Sequence, residues 1–208
     1  MMIIDKLNQF FENAENGVSK IDDGIEQIDG MTGIKTRHLY NNLLTLEDAR
    51  YLEIGTFKGS SVCAAMCGNS ATVVCIDDWS QFNGPKDDFM RNFNRYKGAN
   101  DATFIEQECF SVDTSRLIKF NIYLYDGDHR YEDQYKALGY YLDCMEDEFI
   151  FVVDDWNWEN VRRGTNDAIR DLNLKVLWSR EVRLPDENSS TQDREGWWNG
   201  ISVFLLKK

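Results

Sequence analysis

The sequence predicts an α/β fold: a doubly wound, mostly parallel sheet with helices on both faces, preceded by a helical extension. Three observations point there. From Tyr51 onward, short apolar runs alternate with amphipathic runs of helical period. The apolar runs are continuous, which is the pattern of strands buried on both faces. And 208 residues with 42% hydrophobic content can build one sizeable core without a second domain.

In chain order, residues 2 to about 16 place Ile3, Ile4, Leu7, Phe10 and Phe11 at helical spacing, an amphipathic helix expected either to cap a site or to form a homodimer contact. Residues 17–34 are rich in Gly and Asp and poorly periodic, whereas Thr36–Leu46 is again helical in pattern. Residues 1–35 are therefore read as an N-terminal helical extension and 36–208 as the main domain. Strands are expected over 51–54, 72–76, 102–106, 121–125, 149–153, 174–179 and 201–206, with helices near 59–68, 86–96, 130–146 and 157–172. No helical pattern separates the last two strands, so they should be antiparallel, joined by the long polar loop Arg183–Gly200.

A formal net charge of −13 argues against nucleic acid or an anionic membrane as partner and favours a neutral or cationic small molecule. Five cysteines without a CxxC pair fit a reduced, cytoplasmic setting in which Cys packs as a small hydrophobe. The first residues carry acids where a secretory signal would be basic, and no apolar stretch approaches the ~18 residues of a membrane span, so a soluble protein is expected.

Ligands of such a sheet bind beyond the carboxyl ends of its strands, and those ends are acidic here. The first strand runs into EIGTFKGSS, Glu53 to Ser61, where Gly55 and Gly59 permit a tight turn and close backbone approach. The second ends at Asp77-Asp78, with Asp77 22 residues beyond Gly55, near the spacing at which a carboxylate receives ribose hydroxyls. The glycines read GxxxG rather than GxGxxG, so a nucleoside fits better than a pyrophosphate. Two later strands end in Asp126-Gly127-Asp128-His129 and Asp154-Asp155. Asp alone is a common helix N-cap, but the 28 residues between Asp126 and Asp154 match one strand-helix-strand crossover that would bring these acids together. Carboxylates side by side call for a cation, and oxygen ligands favour Mg2+, then Ca2+ or Mn2+, over zinc. Asp128 and His129 both sit just past the first of these acids, and either suits a general base. Trp197 and Trp198, in the late loop, are expected to belong to a lid over the site, while His38, Cys63 and Cys67 read as structural.

The ordered set EIGTFKGSS, CIDDW, YDGDH and VDDW resembles the class I S-adenosylmethionine-dependent methyltransferases over roughly residues 36–208. Within that class it is most similar to metal-dependent O-methyltransferases acting on sugar hydroxyls of antibiotics, the macrocin O-methyltransferase-like group. The resemblance implies a seven-stranded Rossmann-like sheet with a C-terminal antiparallel strand, and methyl transfer from S-adenosylmethionine to a hydroxyl of a small-molecule acceptor. It implies that Glu53, Gly55 and Gly59 line the methionine and ribose part, with Thr56, Phe57, Ser60 and Ser61 beside them, and that Asp77 takes the ribose hydroxyls next to Asp78 and Trp79. Glu108 and Cys109 stand where the family usually reads adenine with Asp-Ser. Asp126, Asp154 and Asp155 would hold a divalent metal, with Asp126 also facing the cofactor. Two other readings stand beside it: a non-methylating enzyme on the same scaffold, resembling cephalosporin hydroxylases, and a non-catalytic nucleoside-binding assembly protein.

Overall fold

Seven strands form one mixed sheet in the order β3-β2-β1-β4-β5-β7-β6 in the computed structural model, which describes residues 2–185 and 193–208. The strands are β1 (Arg50–Ile54), β2 (Thr72–Asp77), β3 (Asp101–Glu106), β4 (Phe120–Tyr125), β5 (Met145–Asp154), β6 (Lys175–Val182) and β7 (Ile201–Lys207). β1 to β5 pair in parallel, and β7 runs antiparallel to both β5 and β6. The doubly wound arrangement and the antiparallel end are as the sequence predicts.

The continuous apolar runs are explained by burial on two faces. Alternate residues of each strand enter different clusters: Tyr51, Val73, Ile122 and Val152 on one face, Leu52, Tyr123, Phe151 and Val153 on the other. The first face is covered by α1 (Ile3–Glu15), α3 (Ile34–Leu43), α4 (Ser60–Met66) and α5 (Lys86–Tyr96), the second by α6 (Tyr131–Tyr141) and α7 (Glu159–Asp171). On the second face Tyr123 and Phe151, cross-strand partners in register, stack with centroids 5.0 Å apart.

The N-terminal helices share this core. Leu7, Phe11 and Ala14 of α1 are fully buried in the same cluster as Tyr51 and Val73. The aperiodic stretch after α1 contains one short helix, α2 (Asp23–Glu26), capped by the Asp22 carboxylate accepting from the Ile25 amide at 3.0 Å. Beyond α2 the chain runs as a strap across the start of α4. Arg37, only 5% exposed, donates to the carbonyls of Ile25, Glu26 and Thr32, and its neighbour Arg194 adds to the burial that lowers its pKa to about 10. The Thr32 and Ser60 hydroxyls lie 3.2 Å apart, and Lys58 pairs with Asp29 at 2.6 Å.

The late loop is anchored, not free. Among its described residues, Trp197 packs on Phe11 with centroids 5.8 Å apart and donates to Glu15 at 2.8 Å, while the Arg194 and Gly196 carbonyls accept from the amides of Ile34 and Lys35. Trp197 and Trp198 are both buried. The lid expectation is corrected here: Trp197 is a core side chain that pins the loop to α1. The loop's remainder, residues 186–192, lies outside the described residues.

Candidate active site

The carboxyl ends of β1, β2, β4 and β5 lie side by side, and the sequence-predicted residues gather there. β1 passes into Gly55, whose φ of +83° only glycine adopts without strain. A Cβ at this position would overlap the Asp126 carbonyl, so glycine is required by space as well. The turn ends at Gly59 (φ +86°), from which α4 begins.

Asp77, at the end of β2, holds this turn. Its Oδ2 accepts from the amides of Thr56 at 2.7 Å and Phe57 at 2.9 Å, and its Oδ1 from the Trp79 amide at 2.7 Å. The Thr56 hydroxyl at 3.3 Å is a third donor to Oδ2, which is thereby filled, whereas Oδ1 keeps lone-pair capacity for a further donor. Trp79 donates its indole N–H to the Phe57 carbonyl at 2.9 Å and buries its ring against Phe89, 4.8 Å between centroids. It stitches the two loops together from beneath. Asp78 turns outward, and Ser80 donates to it.

Glu53 lies deeper than the sequence suggested. It is 0% exposed, and both oxygens are occupied, Oε2 by the Tyr51 hydroxyl and Oε1 by the Ser61 hydroxyl, each at 2.6 Å. Burial pushes its carboxyl up to about 7 against those hydrogen bonds. It braces the start of α4 from behind. Ser60 is buried under the strap. Glu108 caps the 3-10 turn Cys109–Ser111 by accepting from Phe110 and Ser111, and the Cys109 carbonyl accepts from Tyr141. Both occupy the loop after β3, with Glu108 engaged in its own turn.

Strands β4 and β5 pair Tyr125 with Val153, so Asp126 and Asp154 follow at matched height. The Asp154 side chain is 2% exposed and accepts the Asp155 amide at 2.9 Å, beside the buried Tyr40 of α3. Asp155 breaks from the strand with φ +53°, an uncommon conformation for a side chain other than Asn or Asp, and this swings its carboxylate toward His129. His129 Nε2 sits 2.8 Å from Asp155 Oδ2 and 4.0 Å from Asp126 Oδ1. Trp158 stands edge-on to the imidazole, 4.8 Å between centroids. The structure thus gathers Asp126, His129 and Asp155, with one ligand atom from each within 4.8 Å of the others. Asp154, expected as a ligand, lies outside that group, and His129, expected as a base, lies within it. Asp128 also falls outside, its Oδ1 taken by the Arg130 amide and guanidinium.

The donor set fits a divalent cation. Burial, then the like charges of Asp154 and Asp155, drives the Asp126 carboxyl well above its usual range, and burial with Asp155 does the same to Asp154. Asp155 Oδ1 and His129 Nδ1 are buried without a protein partner. The two carboxylates suit Mg2+ or Mn2+, while the imidazole adds a nitrogen donor that zinc and iron also take.

A family described as a methyltransferase domain matches residues 52–156, half of the chain. The chain belongs to this methyltransferase family. The matched span opens at β1 and closes just past Asp155, so it contains the glycine turn, Asp77 and all three members of the acidic cluster. A search of curated proteins finds no match. Among solved structures, the O-methyltransferase TomG from Streptomyces achromogenes, in complex with SAM, is similar with a TM-score of 0.62 at 13% identity over 100% of both chains. An O-methyltransferase from Bacillus cereus in complex with SAH gives 0.59 at 12% identity, covering 98% of this chain and 91% of that one. TrmN from Thermus thermophilus gives 0.58 at 13%, where this chain spans 52% of the other. At these identities the likeness is one of fold. Among the described residues, no helix of this methyltransferase is long and apolar enough to cross a membrane.

Proposed function

We propose that this methyltransferase moves the methyl group of S-adenosylmethionine onto a hydroxyl of a small neutral or cationic acceptor, at the crevice between the glycine turn and the Asp126–His129–Asp155 cluster. The observation that carries the reading is the juxtaposition of these two features at adjoining strand ends, β1 and β4 being paired and Gly55 lying against Asp126. The SAM and SAH complexes of structurally similar O-methyltransferases support the cofactor, and the acidic surface supports the exclusion of polyanionic acceptors.

In this reading Asp77 receives the ribose hydroxyls while keeping the turn in shape, and the amides of the turn face the methionine part. Asp126, His129 and Asp155 hold the acceptor end. A divalent cation bound by them would lower the pKa of a coordinated hydroxyl and fix its direction toward the sulfonium methyl. The edge-on Trp158 limits rotation of the imidazole and helps exclude water.

The 2.8 Å contact between His129 Nε2 and Asp155 favours a second reading of the same cluster. Here Asp155 orients the imidazole, and Nδ1, buried and without a protein partner, takes the acceptor's proton. Titrating Mg2+ and Mn2+ into the wild type, Asp155→Asn and His129→Ala by calorimetry separates the two. A binding heat in the wild type that both variants lose supports the cation. No heat in the wild type, with His129→Ala still inactive, supports the dyad.

A further inference from the structure

Two hydroxyls on one face of α3 are sealed inside the protein without a well-formed hydrogen bond. Thr36 and Tyr40, one helical turn apart, are both 0% exposed, and neither oxygen has a partner at good geometry among the described residues. A buried hydroxyl left unbonded is costly, so one that persists calls for an explanation. For Tyr40 the explanation lies next to it. Ile150 and Val152 of β5 face the cluster that contains Tyr40, while Phe151 and Val153 face the opposite one. Strand alternation then directs Asp154 to the α3 side of the sheet. Burial, and next the charges of Asp154 and Asp126, raise the Tyr40 phenol well above its usual range. Burial and the charge of Asp155 drive the Asp154 carboxyl upward, and the Asp155 amide and then the Tyr40 hydroxyl oppose that rise.

Asp154 in turn sets the geometry of the cluster. Its Oδ1 accepts the Asp155 amide at 2.9 Å, at the residue whose φ of +53° takes the chain out of β5. A left-handed backbone at a residue other than glycine persists only where its surroundings hold it. The next two amides are held from the other side, Trp156 by the Gly200 carbonyl at 3.2 Å and Asn157 by the Asn199 carbonyl at 2.8 Å. From this turn the Asp155 carboxylate reaches His129 Nε2 at 2.8 Å. An Asp154 carboxylate free to swing would let the Asp155 amide go, and Tyr40 is the side chain of α3 that stands against it.

We propose that Tyr40 is a positioning residue: its hydroxyl donates to the Asp154 carboxylate and, through Asp154, keeps the left-handed turn that aims Asp155 at His129. The inference rests on the reading of the Asp126–His129–Asp155 cluster given above. It ties the acceptor end of the crevice to the N-terminal helical layer, because α3 supplies the donor and shares its core with α1.

The test is the tautomer of His129. The chain has two histidines, so labelling histidine with nitrogen-15 gives a spectrum of two imidazoles, and the one missing from His129→Ala is His129. With Nε2 against the Asp155 carboxylate, the ring proton is fixed on Nε2 and Nδ1 is bare. Spectra of the wild type, Tyr40→Phe and Thr36→Val are recorded with a chelator present and the rings neutral. Phe keeps the buried ring and removes only the oxygen, and Thr36→Val removes a comparably buried hydroxyl from the same helix face. The expected result is the single Nε2–H tautomer at His129 in the wild type and Thr36→Val, and its loss to an average of both tautomers in Tyr40→Phe. His38 should be unchanged in all three, which shows an intact fold. A His129 signal in Tyr40→Phe identical to wild type overturns the proposal, and so does equal averaging in Thr36→Val, which would mark a general loosening of α3. A wild type whose His129 is already averaged overturns the cluster geometry itself, a failure distinct from either.

Discussion

Glu53→Gln replaces a buried carboxyl that titrates near neutrality with a neutral group of the same shape, and the structure sets the size of the effect. Burial is the largest influence on Glu53, driving its pKa from 4.5 to about 7, while Ser61 and Tyr51 pull the other way. A group whose folded-state pKa lies above its unfolded value binds more protons in the folded state between the two. Its stabilising contribution is complete below about pH 4.5 and is lost as the pH rises through 7. At about 1.4 kcal/mol per pH unit the loss is about 3 kcal/mol. The Gln variant lacks this loss, because an amide mimics the protonated acid. Urea unfolding of both chains from pH 4.5 to pH 8 reads the difference directly. The variant's unfolding free energy relative to wild type should climb by about 3 kcal/mol across that range, whatever fixed cost the altered hydrogen bonds to Tyr51 and Ser61 impose. Asp126 and Asp154, also driven upward by burial, are present in both chains and largely cancel. A difference that stays flat with pH would refute the reasoning, since Glu53 would then titrate like a solvated acid.

Gly55→Ala should lower stability by about 2 kcal/mol or more and abolish cofactor binding, because a Cβ meets the Asp126 carbonyl at a backbone angle that Ala resists; thermal unfolding and S-adenosylhomocysteine titration read the two effects. Trp197→Ala should cost roughly 3–5 kcal/mol through the void left beside Phe11 and the lost hydrogen bond to Glu15, which keeps its ion pair with Lys35, seen as a fall in the unfolding midpoint, with no change in acceptor KM once the variant is held well below that midpoint.

The central sheet was legible because its strands are buried on both faces and so read as uninterrupted apolar runs. β5 begins at Met145 rather than 149, since Glu146, Asp147 and Glu148 hide its start, at the rim where it pairs with the end of β7. Helix α6 stops at Tyr141, with a 3-10 turn over Leu142–Cys144 where a longer helix was expected. The strap over 25–33 was invisible, because its burial comes from Arg37 binding its carbonyls and from Ser60 and Lys58, contacts with no sequence period. Burial of Trp197 is likewise tertiary, set by α1, whose Glu15 lies 182 positions away. In the site, the crossover spacing correctly brought the β4 and β5 acids together. It could not choose between Asp154 and Asp155, whose side chains diverge where the strand ends. The left-handed turn at Asp155 then selects His129 as its neighbour, a choice made by backbone geometry alone.

The central claim, that the crevice takes S-adenosylmethionine beside a cluster able to engage an acceptor, is tested most directly by calorimetric titration of S-adenosylmethionine and S-adenosylhomocysteine into the wild-type protein. The account predicts saturable binding of both at one site per chain, weakened by Asp77→Asn and unaffected by Val176→Ala at an exposed position of the edge strand β6. Absence of binding by either compound, with and without Mg2+, would contradict it.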